Sequence, residues 1–178
     1  MSKKIVICRG LPWCGKSYRA KEIAGEEGVI FSTDEYFYKE VNSSEPDVYN
    51  FKPNHLSYAH KWNFHRATLQ INLGHPLVII DNTNTEPWEF ANYVNYAKNQ
   101  DYHAEIAEPT SERWLEIREL LNRKKEFKSE LRDWARQLAE GSKETHCVPQ
   151  FIIEKMMWRW VPTEQIDLDN LEERKKDA

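Results

Sequence analysis

The chain has no long hydrophobic run, few cysteines and little net charge, and each absence removes a class of protein. No stretch approaches the roughly 20 apolar residues that a membrane-spanning helix needs, so none is expected to cross a bilayer. Lys3 and Lys4 precede only the short run Ile5–Val6–Ile7, and Arg9 follows Cys8 at once. That is too little for a secretory leader, and it reads as a first strand. The three cysteines, Cys8, Cys14 and Cys147, are odd in number and lack paired zinc-like spacing. They predict reduced thiols in an intracellular protein, cytoplasmic or nuclear. A formal net charge of −4 gives no broad pull toward nucleic acid, although it leaves room for a local basic groove. No internal repeat or low-complexity tract divides the chain.

With 40% hydrophobic and 30% charged residues, the 178-residue chain reads as globular. It is long enough for one core, and two domains would each be undersized. The expected organisation is a single domain over residues 1–172, with a helical lid region at about 111–147 and a frayed tail at 173–178.

The apolar run at 5–7 is followed by a glycine-containing loop, a helical pattern from Tyr18 to Glu27, and a second apolar run, Val29–Ile30–Phe31. Strand, loop, helix, strand is a βαβ unit. Residues 39–53 are polar and proline-containing, which predicts an insert over the active face. Asn54 to Leu73 fit a long helix stopped by Gly74. Leu77 to Ile80 suit a central parallel strand buried on both faces. Thr85 reads as the cap of a helix from Glu86 to about Lys98, and Tyr102, Ala104 and Ile106 alternate as a less buried strand. Ser111 to about Leu138 is helix-rich, with a break expected near Lys124–Ser129. Gly141 to His146 form a linker, and Pro149 opens a helix to about Trp160, whose core face reads as Phe151, Ile152, Met156 and Trp160. The fold class is therefore α/β: a mostly parallel sheet flanked by helices, with a helical lid.

Gly10–Leu11–Pro12–Trp13–Cys14–Gly15–Lys16–Ser17 matches G-x-x-x-x-G-K-[ST]. Glycines let the backbone turn so that successive N–H groups face an anion, and the following helix adds its positive end. Lys16 can reach the β/γ-phosphates of ATP, and Ser17 can offer a hydroxyl to Mg²⁺. The strand before and helix after, opening at Tyr18, are the context the motif requires. Trp13 either covers the cleft or touches a base, or it packs on the fold. Cys14 lies near a helix start, where a thiol can become reactive.

Asp34 follows the second apolar run, on the rim where parallel α/β sheets bind ligands. A carboxylate there can orient an acceptor hydroxyl; a solvated acid or a helix cap is the plainer alternative. Asp81, after the most apolar strand, is the metal-side candidate beside Ser17. Asn82, Thr83 and Asn84 either fix the strand end or grip substrate.

Four segments together carry a family likeness: Arg9–Gly10–Leu11–Pro12 with Gly15–Lys16–Ser17; Phe31–Ser32–Thr33–Asp34; Ile80–Asp81–Asn82–Thr83–Asn84; and Glu108–Pro109 with Glu119–Leu120–Leu121–Asn122–Arg123. The chain resembles the P-loop kinases related to polynucleotide 5′-hydroxyl kinase, and among them the NEDD4-binding-protein-2-like branch. The resemblance covers about residues 3–160. It implies ATP and Mg²⁺, and a 5′-hydroxyl of RNA or DNA as acceptor. It gives Lys16 and Ser17 the phosphate and metal roles, and Asp34 the role of general base. Asn82 and Thr83 match a pair that helps bind the acceptor phosphate, and Arg123 matches a lid arginine that meets the donor phosphates. The sequence departs from that pattern at Trp13, Cys14 and Tyr18. It also departs at Phe37, which stands where an acceptor-binding arginine can occur and could stack on a base instead. Some twenty extra residues precede Cys147.

Other features have plainer readings beside the functional one. Lys124, Lys125 and Lys128 either attract phosphates or solubilise the surface. His55, His60 and His65 recur every fifth residue, which walks around a helix rather than making a ligand face. The leading expectation is an ATP-dependent polynucleotide 5′-hydroxyl kinase. A kinase of a small molecule, nucleoside or nucleotide, and an ATP-binding adaptor with little or no transfer, are the alternatives.

Overall fold

The computed structural model describes residues 2–39 and 48–173. Most of the insert read at 39–53 and of the tail read at 173–178 lies outside the described residues.

Four strands form one parallel sheet. They are β1 (Lys4–Cys8), β2 (Val29–Phe31), β3 (Leu77–Asp81) and β4 (His103–Ala107), in the order β2-β3-β1-β4. β1 thus lies between β3 and β4. The chain leaves β1 toward one edge and leaves β3 toward the other, which opens a crevice beyond the carboxyl ends of β1 and β3. The register sets Ile5 beside Val78, Ile7 beside Ile80, and Cys8 beside Asp81. The loop after β1 and the Asp81 carboxylate therefore leave the sheet at the same level.

Side chains alternate across a strand, and the two faces of β1 enter different cores. Ile5 and Ile7 pack with Val78 and Ile80 against α3 (Leu56–Asn72) and α4 (Ala91–Lys98), through Ala67, Ile71, Val94 and Ala97. Val6, Cys8 and Ile79 face α1 (Lys16–Ala24), through Ala20 and Ala24. Each buried aliphatic side chain here contributes about 1.5–3 kcal/mol. β4 is a half-buried edge, as its alternation predicts.

A separate apolar cluster joins α5 (Glu112–Asn122), α6 (Lys128–Gly141) and α7 (Gln150–Arg159), all packed on the loop after β1. Trp114 and Trp160 are fully buried in it and meet edge to face, with ring centroids 5.1 Å apart. α5 and α6 are separated by a turn at residues 123–127, close to the expected break. Ser111 caps α5, its hydroxyl accepting from the Trp114 amide.

Two sequence expectations are corrected. Thr85 does not cap a helix. Pro87 opens a short 3₁₀ turn at Pro87–Glu89, closed by a reciprocal capping box between Glu86 and Glu89, and α4 begins only at Ala91. Thr85 is instead buried, with its hydroxyl donating to Glu89. On α7, Phe151 is exposed, and the buried stripe is Ile153, Met157 and Trp160. The helix starts at Gln150, and this i, i+4, i+7 set is the one that faces α5 and α6.

Candidate phosphate-binding site and its acidic rim

After Cys8 the chain turns at Gly10, whose amide donates to the Thr83 carbonyl at 3.2 Å. A Cβ at Gly10 would sit 3.0 Å from the Pro109 ring. Only glycine leaves that approach open. Trp13 (φ 59°) and Gly15 (φ 89°) are left-handed, which folds the loop back over the start of α1. Gly15 is the N-cap and brings no side-chain acceptor, and the first turn of α1 holds no acidic residue. The leading amides of α1 are thus left for an external anion.

Leu11 and Cys14 point the other way. Both are buried in the α5–α7 cluster, so their contribution to a phosphate site is limited to backbone. Burial pushes the Cys14 thiol up to about 12, and the Cys8 thiol likewise, which removes the reactive-thiol reading. Cys147 is exposed. A thiol-specific reagent at neutral pH is expected to modify Cys147 rapidly, with Cys8 and Cys14 reacting only on unfolding. Equal rates at all three in the native protein would contradict the packing.

Trp13 packs on one face against its neighbours while 44% of its surface stays exposed. The Arg113 guanidinium lies 3.4 Å from its ring centroid and donates to the Trp13 carbonyl at 2.6 Å. Gly141, at the end of α6, lies flat against the indole; a Cβ there would fall 2.1 Å from a ring carbon. Pro12 is half-buried, while Ser17 and Tyr18 are exposed at the first turn of α1.

Lys16 Nζ donates to Asp81 Oδ1 at 2.6 Å, and both side chains are largely buried, at 13% and 6% exposure. Asn82 Oδ1 accepts from the Thr33 amide at 2.9 Å, which ties the end of β3 to the end of β2. Thr83 holds the loop through its carbonyl. Asn84 takes a left-handed backbone, and its side-chain amide donates to the Cys8 carbonyl at 2.8 Å. It is a structural staple.

Asp34 stands three residues past β2, on the same rim as the loop, with β3 between their strands. Its side chain is 41% exposed. Tyr49 Oη donates to Oδ1 at 3.2 Å, and His146 Nε2 lies 3.8 Å from Oδ2. Glu35, at the start of α2 (Glu35–Lys39), turns away to pair with Arg66 at 2.7 Å.

Phe37 cannot stack on a substrate. It is fully buried among Tyr36, Tyr49 and Phe51, which cover it from solvent. Arg123 does not join the loop either. It ends α5, pairs with Glu126 and stacks on Phe127, whereas Arg113 at the opposite end of that helix touches the loop, about 15 Å away at 1.5 Å per residue. Lys124 donates to the Trp158 and Trp160 carbonyls and secures α7. Among the described residues, no group of three or more His, Cys, Asp or Glu side chains forms a metal site.

Sequence reasoning missed Arg113, Tyr49 and His146. Arg113 carried one signal, a cation two residues after a good helix cap. Tyr49 was one of two aromatics, with Phe51, in an insert read as polar, and His146 sat in a segment read only as a linker.

Comparison with known proteins agrees with this geometry. Residues 5–143 match the protein family described as an AAA domain. The chain belongs to the AAA domain family. NEDD4-binding protein 2 of Homo sapiens is 38% identical over 107 residues, which is 59% of this chain and 6% of that protein. The chain therefore spans only a small part of that relative's length. The family is one of P-loop NTPase domains, which implies ATP, and the site fits the nucleotide. The amide nest is left uncapped and Lys16 is beside it. Ser17 and Asp81 supply the oxygen donors that Mg²⁺ prefers. No helix among the described residues is long and apolar enough to cross a membrane.

Proposed function

We propose that the protein is an ATP-dependent phosphotransferase that moves the γ-phosphoryl group to a 5′-hydroxyl of RNA or DNA. The observation that carries the reading is the placement of Asp34 on the rim of the phosphate loop, two strands away in the sheet order. Adjacent strands lie about 4.8 Å apart, so the gap of about 10 Å suits an acceptor hydroxyl between carboxylate and donor. The four segments that resemble polynucleotide kinases support the choice of acceptor.

Bound ATP and Mg²⁺ supply the phosphoryl group and neutralise its charge. Lys16, now paired with Asp81, would hold the phosphate oxygens, and Ser17 and the Asp81 carboxylate would hold Mg²⁺. Asp34 accepts the proton of the acceptor hydroxyl as that oxygen bonds to phosphorus, and ADP leaves. Asn82 and Thr83 stand between base and loop, where they line the acceptor's path.

The test is transfer from labelled ATP to a panel of 5′-hydroxyl RNA, 5′-hydroxyl DNA, nucleotides and nucleosides. Labelling of the polymers is the expected result. Labelling confined to nucleosides or nucleotides replaces this reading with a small-molecule kinase, and tight ATP binding with no transfer replaces it with an adaptor.

Lys16→Ala is expected to weaken ATP binding by about 10–100-fold, the worth of one charge-assisted hydrogen bond. It should also lower stability, because Asp81 stays buried without its partner. Adding Asp81→Asn should restore stability but not ATP affinity. An unchanged ATP titration in Lys16→Ala would reject the loop assignment.

A further inference from the structure

Asp34 is a partly exposed carboxylate, and such a side chain ordinarily samples several rotamers. A group that takes a proton in a transition state must be held within about 0.5 Å of its working position. The structure sets groups from two distant segments against Asp34, one hydrogen-bonded to it and one beside it. Tyr49 Oη donates to one carboxylate oxygen at 3.2 Å. His146 Nε2 stands 3.8 Å from the other, a contact that is an ion pair whenever the imidazole is protonated. The two partners also meet each other, with ring centroids 5.0 Å apart.

Neither partner is loosely placed. The Tyr49 ring packs against Phe37 at 6.0 Å, Tyr38 at 5.2 Å and Phe51 at 6.5 Å, so its hydroxyl has a fixed direction. Burial and the Asp34 charge push its phenol up, so at neutral pH it stays protonated and donates. His146 lies next to the end of a strap, residues 141–147, that is closed on itself around buried Ser142. The Ser142 carbonyl accepts from the Cys147 amide at 2.8 Å and the Thr145 amide at 3.1 Å, while its hydroxyl accepts from the Val148 amide at 3.1 Å. The other end of the strap is Gly141, seated on Trp13 of the phosphate loop. One short segment therefore touches both the donor loop and the acid across the cleft.

We propose that Tyr49 and His146 are the positioning residues of Asp34, fixing its carboxylate relative to the phosphate loop. This rests on the reading of Asp34 as the group that takes the acceptor proton. Neither residue need touch substrate.

A double-mutant cycle in the full chain tests it. Tyr49→Phe, His146→Ala and His146→Gln are made alone and in the Asp34→Asn background. The readouts are kcat and KM for transfer from labelled ATP to a 5′-hydroxyl RNA oligonucleotide, and ATP affinity by titration. Tyr49→Phe keeps the ring and should lower kcat about tenfold, with KM and ATP affinity within about twofold. His146→Ala should lose about three- to tenfold in kcat, and His146→Gln, which retains a donor, should recover most of it. In the Asp34→Asn background the same changes should alter kcat by less than about twofold, since the group they position is already gone. Independently of any acceptor, the ¹³C signal of the Asp34 carboxyl should move in Tyr49→Phe and in His146→Ala.

Equal losses in both backgrounds overturn the proposal, because the residues then act on something other than Asp34. So does an unmoved carboxyl signal, or an unchanged kcat in the Tyr49 and His146 variants while Asp34→Asn is impaired. Full transfer by Asp34→Asn is a different failure. It removes the base itself, and the positioning role falls with it.

Discussion

Replacing Asp34 with asparagine is expected to lower phosphoryl transfer by about 10²–10⁴-fold, the usual worth of a positioned general base, while ATP affinity stays within about twofold. The asymmetry follows from the sheet. The donor loop grows from β1, whereas Asp34 follows β2, and β3 lies between them. Asparagine has the same shape, and its amide oxygen can still accept from Tyr49, so the aromatic packing around the rim stays in place. Only the capacity to take a proton is removed. The matched measurements are single-turnover transfer to a 5′-hydroxyl oligonucleotide and a nucleotide titration. Transfer at the native rate would falsify the role given to Asp34. A parallel loss of ATP affinity would mean that Asp34 supports the loop rather than the acceptor.

The parts of this site that were legible in the sequence are the parts fixed by short-range rules. G-x-x-x-x-G-K-S states its own backbone geometry, because the amide nest needs glycine at fixed places and a helix directly after. Apolar runs at 5–7 and 77–80 announce strands buried on both faces, and the carboxyl ends of those strands mark the ligand rim. Phe37 and Arg123 misled for the opposite reason. Each was placed by its offset from a motif, and offset says nothing of direction. On α2 Phe37 is buried under Tyr36, Tyr49 and Phe51, and the length of α5 carries Arg123 away from the loop. Arg113, Tyr49 and His146 reach the site through long-range packing, so a sequence reading had only their residue types to go on. Trp13 was a departure from the family pattern with two open readings. Its explanation is Gly141, an absence of side chain more than a hundred positions away.

Arg9→Met is expected to destabilise the protein by about 3–5 kcal/mol, the range for breaking a buried charge network. For a domain of this size that is a fall in Tm of about 10–15 °C. Arg9 has no exposed surface, and all three nitrogens of its guanidinium donate hydrogen bonds. It donates to the carbonyls of Asn84 at 2.7 Å, Thr85 at 2.9 Å and Val161 at 2.8 Å, and to the Thr163 hydroxyl at 2.7 Å. It also lies over the Trp160 ring at 4.2 Å. Burial lowers its pKa to about 10, against the pull of Glu108 and Glu89, so the charge is retained at neutral pH. Methionine fills much of the same volume but takes the donor from the Asn84 and Val161 carbonyls, and each such loss costs about 1–3 kcal/mol, whereas the Thr85 carbonyl keeps the Val161 amide at 3.0 Å. Lysine should recover only a part, since a single ammonium cannot reproduce the fan of a planar guanidinium. The consequence extends to the site, because Arg9 immediately precedes Gly10 and ties the ends of β1 and β3 to the segment after α7. ATP affinity should therefore fall in Arg9→Met even well below its Tm, although Arg9 reaches no phosphate. Denaturant titration and nucleotide binding on the same sample separate the two effects. A loss of less than about 1 kcal/mol would show that water replaces the guanidinium at those carbonyls, and that the loop holds its shape without it.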